Sequence, residues 1–310
     1  MAMSQLWFCL QSEGCASSMS DLPTSAGLLR TKEGKLLNGK LFRVENWKFW
    51  ALIFLIIIKN QIFFLSLPDK MQGYMNIKLF SIPNCITLIN LLCGIGSIIS
   101  SLVYNDLQVA FVFIIASAVA DFFDGFAARL LKQYSPLGVQ LDSLADMVSF
   151  GVAPAIIMSV LCGQMPSLFG LNDLLVEILC YIPLVVAALS ALRLAKFNID
   201  ETQKEEFEGL PTPGAAILLG SLAMLCERYD ITVELEWLVL VSVLVAEMLI
   251  SPVRMFSFKF KSWRWSDNKL RYIFLLGCIL AICALRLYAI PVIIVLYMAV
   301  STVRWIVQKR

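Results

Sequence analysis

The chain has 310 residues, 59% of them hydrophobic and only 15% charged, with a formal net charge of +2 and no histidine. An ordinary soluble domain carries about 25% charged residues, so a mean hydropathy of +0.78 points instead to an all-α, polytopic membrane helical bundle. The missing histidine excludes His-based catalysis and His-ligated metal or haem, leaving a carboxylate, Lys, Tyr or Cys as any general base.

Residues 1–48 are mixed polar sequence without periodicity. The apolar run Phe49–Leu67 carries Lys59 near its middle, and its flanks are basic on both sides (Arg43 and Lys48, then Lys70 and Lys78). A span there would put Arg30, Lys32, Lys35 and Lys40 outside, against the bias of the remaining chain. The run also starts late for a signal peptide, with no convincing small-residue cleavage site after it. Residues 1–74 are therefore expected to be an N-terminal extension, either disordered or a mis-assigned start, with Met71 or Met75 as the native start. An accessory interfacial helix is the alternative. Residues 75–310 are expected to form the membrane domain.

From residue 71 onward apolar segments recur. They predict about eight transmembrane helices, near 84–104, 108–131, 142–162, 174–195, 212–228, 236–256, 271–286 and 288–306. The last two are separated by little more than Arg286 to Ala289, which suggests a tight hairpin. With the segment before the first span inside, fifteen Lys and Arg fall inside, among them Lys78, Arg129, Lys132, Arg193, Lys196 and Arg254. Arg228 and Arg286 alone fall outside. The positive-inside rule expects this asymmetry. The protein is thus expected in the cell membrane as a multi-pass chain, with the turn between the second and third spans facing the cytoplasm. The nine cysteines show no C-x2-C pair and sit mostly in apolar runs, as packing residues do.

That turn is flanked by an unusual set of acids: Asp121, Asp124, Asp142 and Asp146, in the order D-x2-D-G-x2-A-R-x8-G-x3-D-x3-D. A carboxylate at membrane depth costs at least about 2.5–3.5 kcal/mol. Spacings of three and four place each pair on one helix face, and the short turn should make the two helices antiparallel neighbours whose carboxylates converge. A formal charge of −4 is balanced by two divalent cations, and oxygen-only ligation selects a hard ion, Mg²⁺ or Mn²⁺. Gly125 and Ala128 on the same face let a bulky ligand approach the backbone. Arg129 can pair with a phosphate or a carboxylate, and Gly138 permits a tight turn or a close approach. Residue types alone leave a metal-dependent enzyme and an ion-coupled transporter both open.

The ordered pattern, with Gly125, Ala128, Arg129 and Gly138 among the four aspartates, resembles the signature of the CDP-alcohol phosphotransferases, membrane enzymes of phospholipid synthesis. The resemblance implies that family's fold. It also implies that Asp121, Asp124 and Asp142 are metal ligands, and that Asp146 is the base deprotonating the acceptor alcohol and a candidate fourth ligand. Gly125, Ala128, Arg129 and Gly138, with Asp121, are implied to seat the CDP moiety. The P-N-x-x-T stretch at Pro83–Thr87 looks like the family's nucleotide-side segment, making Asn84 and Thr87 candidate CDP contacts.

The acceptor is suggested by Leu141–Pro154 and by Arg193–Asn198 with Phe207–Pro213, which resemble the phosphatidylserine synthase branch. That branch implies CDP-diacylglycerol and L-serine as substrates, membrane lipid as the setting and no nucleic-acid partner; the family is often a homodimer. Serine needs a cation for its carboxylate. Arg193 and Lys196 are candidates for that carboxylate or a lipid phosphate, and ordinary membrane-flanking anchors are the plainer reading. Glu247 in the sixth span has no assigned role; it either faces the bundle near Arg254 or a lipid groove. Three alternatives remain: a sibling enzyme using glycerol 3-phosphate or inositol phosphate, a cation-coupled transporter, and a catalytically silent membrane scaffold, against which the four intact carboxylates stand. The first should show more basic residues near the cluster, and the second repeat-like halves, for which there is no second aspartate motif.

Overall fold

The computed structural model describes residues 81–199, 207–255 and 265–309. The expected extension 1–74 and its apolar run Phe49–Leu67 lie outside the described residues. Helix α1 (Ile82–Leu102) starts where Ser81 accepts from the Asn84 amide, with Pro83 in the first turn. Helix α2 (Leu107–Leu130) starts on Asp106, whose carboxylate accepts from Val109 N at 2.8 Å. Its end is turned by Lys132, which holds a left-handed φ of +53°. Helix α3 (Pro136–Asp146) is capped by Ser135, which accepts from Gly138 N at 2.9 Å. In each case an oxygen side chain satisfies an otherwise orphaned first-turn N–H.

A single π-helical segment, Met147–Val152, joins α3 to α4 (Ala153–Gln164). Helices α5 (Asp173–Tyr181) and α6 (Val185–Ile199) likewise join through a 3-10 turn at Ile182–Leu184. Then come β1 (Phe207–Glu208), α7 (Thr212–Arg228), α8 (Leu235–Ile250), β2 (Arg254–Met255), α9 (Trp265–Leu285) and α10 (Ala289–Lys309). The two short strands pair antiparallel, Phe207 opposite Met255 and Glu208 opposite Arg254.

Five stretches among the described residues are long and apolar enough to cross a membrane: Ile82–Leu102, Leu107–Leu130, Pro136–Gln164, Asp173–Ile199 and Phe274–Val307. The last of these is folded back on itself. Arg286 breaks the helix with φ +50°, and the Phe274 and Tyr297 rings meet edge to face at 6.0 Å. Those residues would be roughly 35 Å apart along a continuous helix. The tight hairpin expected at this point is therefore present. Helices α7 and α8 have 17 and 16 residues, or roughly 25 Å at 1.5 Å per residue, slightly less than a 30 Å hydrocarbon core.

Helix α7 is the hub of the core. Ala215, Ala216, Leu219 and Ala223 are fully buried there, and Leu107, Ile114, Met158, Leu235 and Leu249 of α2, α4 and α8 join the same cluster. A Cβ at Gly220 would lie 2.8 Å from the Phe111 ring, so α2 and α7 are in contact at that glycine. Large apolar side chains such as Val112, Phe122, Leu192 and Leu276 are exposed, as expected for a surface facing hydrocarbon. Glu247 is also exposed, on the outer side of α8 and not in the bundle interior. Arg254 stands in register with Glu208.

Candidate active site

Helix α1 is what brings the site together. It packs against α2, α3, the π segment and α4, and a stripe of buried polar residues (Asn84, Thr87, Asn90) at helical spacing runs along it. The antiparallel α2 and α3 were expected to be close neighbours. Helix α1 lies against both, and a cavity of about 590 Å³ opens between the three helices. The acids of α2 and α3 do meet, Asp121 with Asp142 and Asp146.

Three of the four acids converge. One carboxylate oxygen each from Asp121, Asp142 and Asp146 can be chosen so that all lie within 4.8 Å of one another. Asp124 is beside them, close enough to interact electrostatically with Asp121 and Asp142. Its Oδ2 accepts from Thr87 Oγ1 at 2.6 Å. Asp124 and Asp146 are almost fully buried, at 6% and 9% exposure. Among the described residues none of the four forms an ion pair within 4.0 Å, whereas Lys196 and Glu208 do. Oδ1 of Asp142 is buried with no hydrogen-bond partner. Buried, unpaired, oxygen-only donors of this kind fit hard divalent cations.

The residues expected around a nucleotide share one cavity. Asn84, Thr87, Asp124, Gly125, Ala128, Arg129, Gly138 and Asp142 all line it. A Cβ at Gly125 would meet nothing within 4 Å, whereas one at Gly138 would lie 3.2 Å from Asn84 Oδ1. Gly125 thus leaves the cavity wall open, and Gly138 lets the start of α3 sit close to α1. Arg129 is exposed at the cavity mouth. Thr87 lines the cavity and its hydroxyl is bonded to Asp124, so it also braces an acid. Asp121 and Asp146 are in the acid cluster and not among the cavity-lining residues.

Arg193 and Lys196 separate. Lys196 Nζ is bonded to Glu208 Oε2 at 2.9 Å in a largely exposed pair, the kind worth at most about 1 kcal/mol. Arg193 instead interacts electrostatically with Asp146, and its Nε is buried without a partner. Both residues line a smaller cavity of about 110 Å³ with Glu208 and Ser251. Phe197 lines this cavity and the larger one. Nearby, Asn198 Nδ2 donates to Ser143 Oγ at 2.9 Å, tying α6 to the residue after Asp142.

Sequence reasoning passed over Asn90, Ser117 and Ser149. Asn90 Nδ2 donates to Asp146 Oδ1 at 3.0 Å, and both serines hydrogen-bond to Asn90. The signal was there in the spacing: Asn84, Thr87, Asn90, Gly94, Ser97 and Ser101 form a polar and small stripe at intervals of three and four on an otherwise apolar helix.

The family model for CDP-alcohol phosphatidyltransferases matches residues 80–250 of this chain. The chain is 40% identical over 139 residues to the CDP-diacylglycerol–serine O-phosphatidyltransferase of Bacillus subtilis, covering 44% of this chain and 72% of that protein. It is 31% identical over 233 residues to the protein of the same name from Helicobacter pylori strain J99, covering 74% and 92%. The Methanocaldococcus jannaschii protein of that name is 30% identical over 213 residues, covering 69% and 89%. The aspartate cluster and the cavity-lining residues all lie within the matched segment, and the chain belongs to the CDP-alcohol phosphatidyltransferase family.

Proposed function

We propose that this protein is a phosphatidylserine synthase, transferring the phosphatidyl group of CDP-diacylglycerol to L-serine and releasing CMP. The observation that carries the reading is the meeting of the signature residues in space: a triad of carboxylates beside a cavity lined by Asn84, Thr87, Gly125, Ala128, Arg129 and Gly138. Serine as the acceptor is supported by the names of the relatives. It is also supported by the lining of the larger cavity, where Arg129 is the one basic residue among the described residues. An acceptor bearing its own phosphate calls for more.

Asp121, Asp124, Asp142 and Asp146 would hold two divalent cations, Mg²⁺ or Mn²⁺. When bound, these neutralise the carboxylates and stabilise negative charge on the diphosphate. The chain's own residues do the rest. Asn84, Gly125, Ala128, Arg129 and Gly138 seat the CDP end, with Arg129 offering its guanidinium to a phosphate. Asp146 accepts the proton of the serine hydroxyl, whose oxygen forms a new bond to the lipid-side phosphorus as the bond to CMP breaks. Arg193, half-buried and in electrostatic reach of Asp146, receives the serine carboxylate or the lipid phosphate; Lys196, already engaged by Glu208, is the weaker of the two candidates.

The eight apolar segments expected from the sequence all coincide with helices, which supports eight crossings with α7 and α8 as short interior spans. The distribution of Lys and Arg supports a cytoplasmic site in the cell membrane. Within this reading, residues 75–310 are the phosphotransferase domain, residues 1–74 an extension, and a homodimer the expected assembly.

The test is CMP release by purified protein with CDP-diacylglycerol and Mg²⁺ or Mn²⁺, comparing serine, glycerol 3-phosphate and inositol phosphate. Release with serine alone is expected, abolished by chelation and restored by either metal. Background release with serine rejects the proposal.

A further inference from the structure

We propose that Asn90 is a positioning residue for Asp146: its side-chain amide, held by Ser117 while Ser149 bonds its main-chain carbonyl, fixes the rotation of the carboxylate and so the direction in which it meets the acceptor hydroxyl. The inference rests on the reading of Asp146 as the base.

The carboxamide of Asn90 is wholly buried, which is costly unless both of its ends are satisfied. Here they are. Nδ2 donates to Asp146 Oδ1 at 3.0 Å, and Oδ1 accepts from the Ser117 hydroxyl. Ser117 Oγ is also 3.1 Å from the Asn90 carbonyl, but a hydroxyl has one proton to give. Ser149 Oγ donates to that carbonyl at 3.0 Å, which leaves the Ser117 proton for the amide oxygen. A flipped amide would point its oxygen at the carboxylate, lone pair to lone pair, so one orientation is imposed.

The clamp joins three elements. Asn90 comes from α1, Ser117 from α2, and Ser149 from the π segment that begins immediately after Asp146. Ser117 and Ser149 are themselves fully buried. A Cβ at Gly94 would stand 2.8 Å from Ser149 Cα, so α1 and the π segment are already in backbone contact one turn from Asn90. The terminal torsion of an aspartate is broad, so a hydrogen bond from a fixed donor narrows the direction its oxygens face. Of the two burdened acids, Asp124 is held by Thr87 and Asp146 by Asn90, both from α1.

The experiment uses the full chain in detergent, with Asn90→Ala, Ser117→Ala and Asp146→Asn. Measured are kcat and KM for serine, CDP-diacylglycerol affinity in Mn²⁺, Mn²⁺ binding and the melting temperature. Asn90→Ala is expected to lower kcat about 10- to 100-fold, the usual cost of removing a hydrogen-bond partner from a metal-site carboxylate. Substrate and Mn²⁺ affinities should stay within about threefold, because the lost interaction matters in the transition state. Ser117→Ala should show the same split, smaller in size. A kcat within about twofold of wild type overturns the inference, as do parallel losses in kcat, affinity and melting temperature, which mark a purely architectural role. If Asn90→Ala does not fold, Ser117→Ala decides on the same criteria. Turnover retained by Asp146→Asn overturns the base assignment and the inference with it. Turnover lost there but kept in Asn90→Ala overturns the inference alone.

Discussion

Helices α1 and α2 border two cavities of similar size and opposite chemistry. On one side they form the space of about 590 Å³ that holds Asn84, Thr87, Asp124 and Arg129. On the other they form an apolar groove of about 500 Å³ lined by Ile86, Ile89, Val119, Phe123 and Phe126. Neighbouring residues of one helix thus face different solvents, Asp124 the cavity and Phe123 the groove. Size does not distinguish a site here. What does is the presence of buried carboxylates with no ion pair within 4.0 Å among the described residues, a state that is costly in hydrocarbon and that a bound cation relieves.

Substitutions on the polar side should therefore act on chemistry, and those on the apolar side should not. Asp146→Asn keeps the shape and removes the proposed base; turnover should fall by more than about 10³-fold while CDP-diacylglycerol binding persists in an equilibrium titration. Asp124→Asn should weaken metal and nucleotide binding as well, and equal binding by the two variants would break the division of roles. Arg193→Gln comes next. It should raise KM for serine about tenfold with little change in lipid affinity, as loss of one charge-assisted contact does; an unchanged KM would return Arg193 to the role of a membrane-flanking anchor.

Gly94→Ala probes the seam between the two sides. Its methyl group must push the π segment away from α1, which should cost about 1–3 kcal/mol of stability and lower kcat through the displaced Ser149. Thermal melts and steady-state rates check both halves. The smallest effect belongs to Val119→Ala in the groove, where the side chain is 51% exposed. Its kcat should stay within about twofold of wild type, as expected of a surface substitution, and a larger loss would mean the groove belongs to the site.

Much of this was legible before any coordinates. Hydropathy placed each apolar segment on a helix because a membrane demands about 20 apolar residues and internally satisfied backbone. Helical spacing put Asp121 with Asp124 and Asp142 with Asp146, since i, i+3 and i, i+4 neighbours share a face whatever the surroundings. Other features were not legible. The π turn at Met147–Val152 has no residue signature; there Ser149 meets Gly94 of α1 and Gly151 meets Ser190 and Ala187 of α6. Lys196 looked equivalent to Arg193 by composition. Glu208, twelve residues on, captures one of them and leaves the other beside Asp146.

The four aspartates, their two helices, the membrane setting and the oxygen-only donor set follow from local rules of spacing, charge and hydropathy, and so could be read from the chain as a string. The cavity that opens between α1, α2 and α3, the pairing of Thr87 with Asp124, and the clamp of Ser117 and Ser149 on Asn90 could not. Those contacts join residues 27 to 59 positions apart. They exist because α1 packs against both aspartate helices, and long-range packing of that kind is a property of the assembled bundle, not of any one segment.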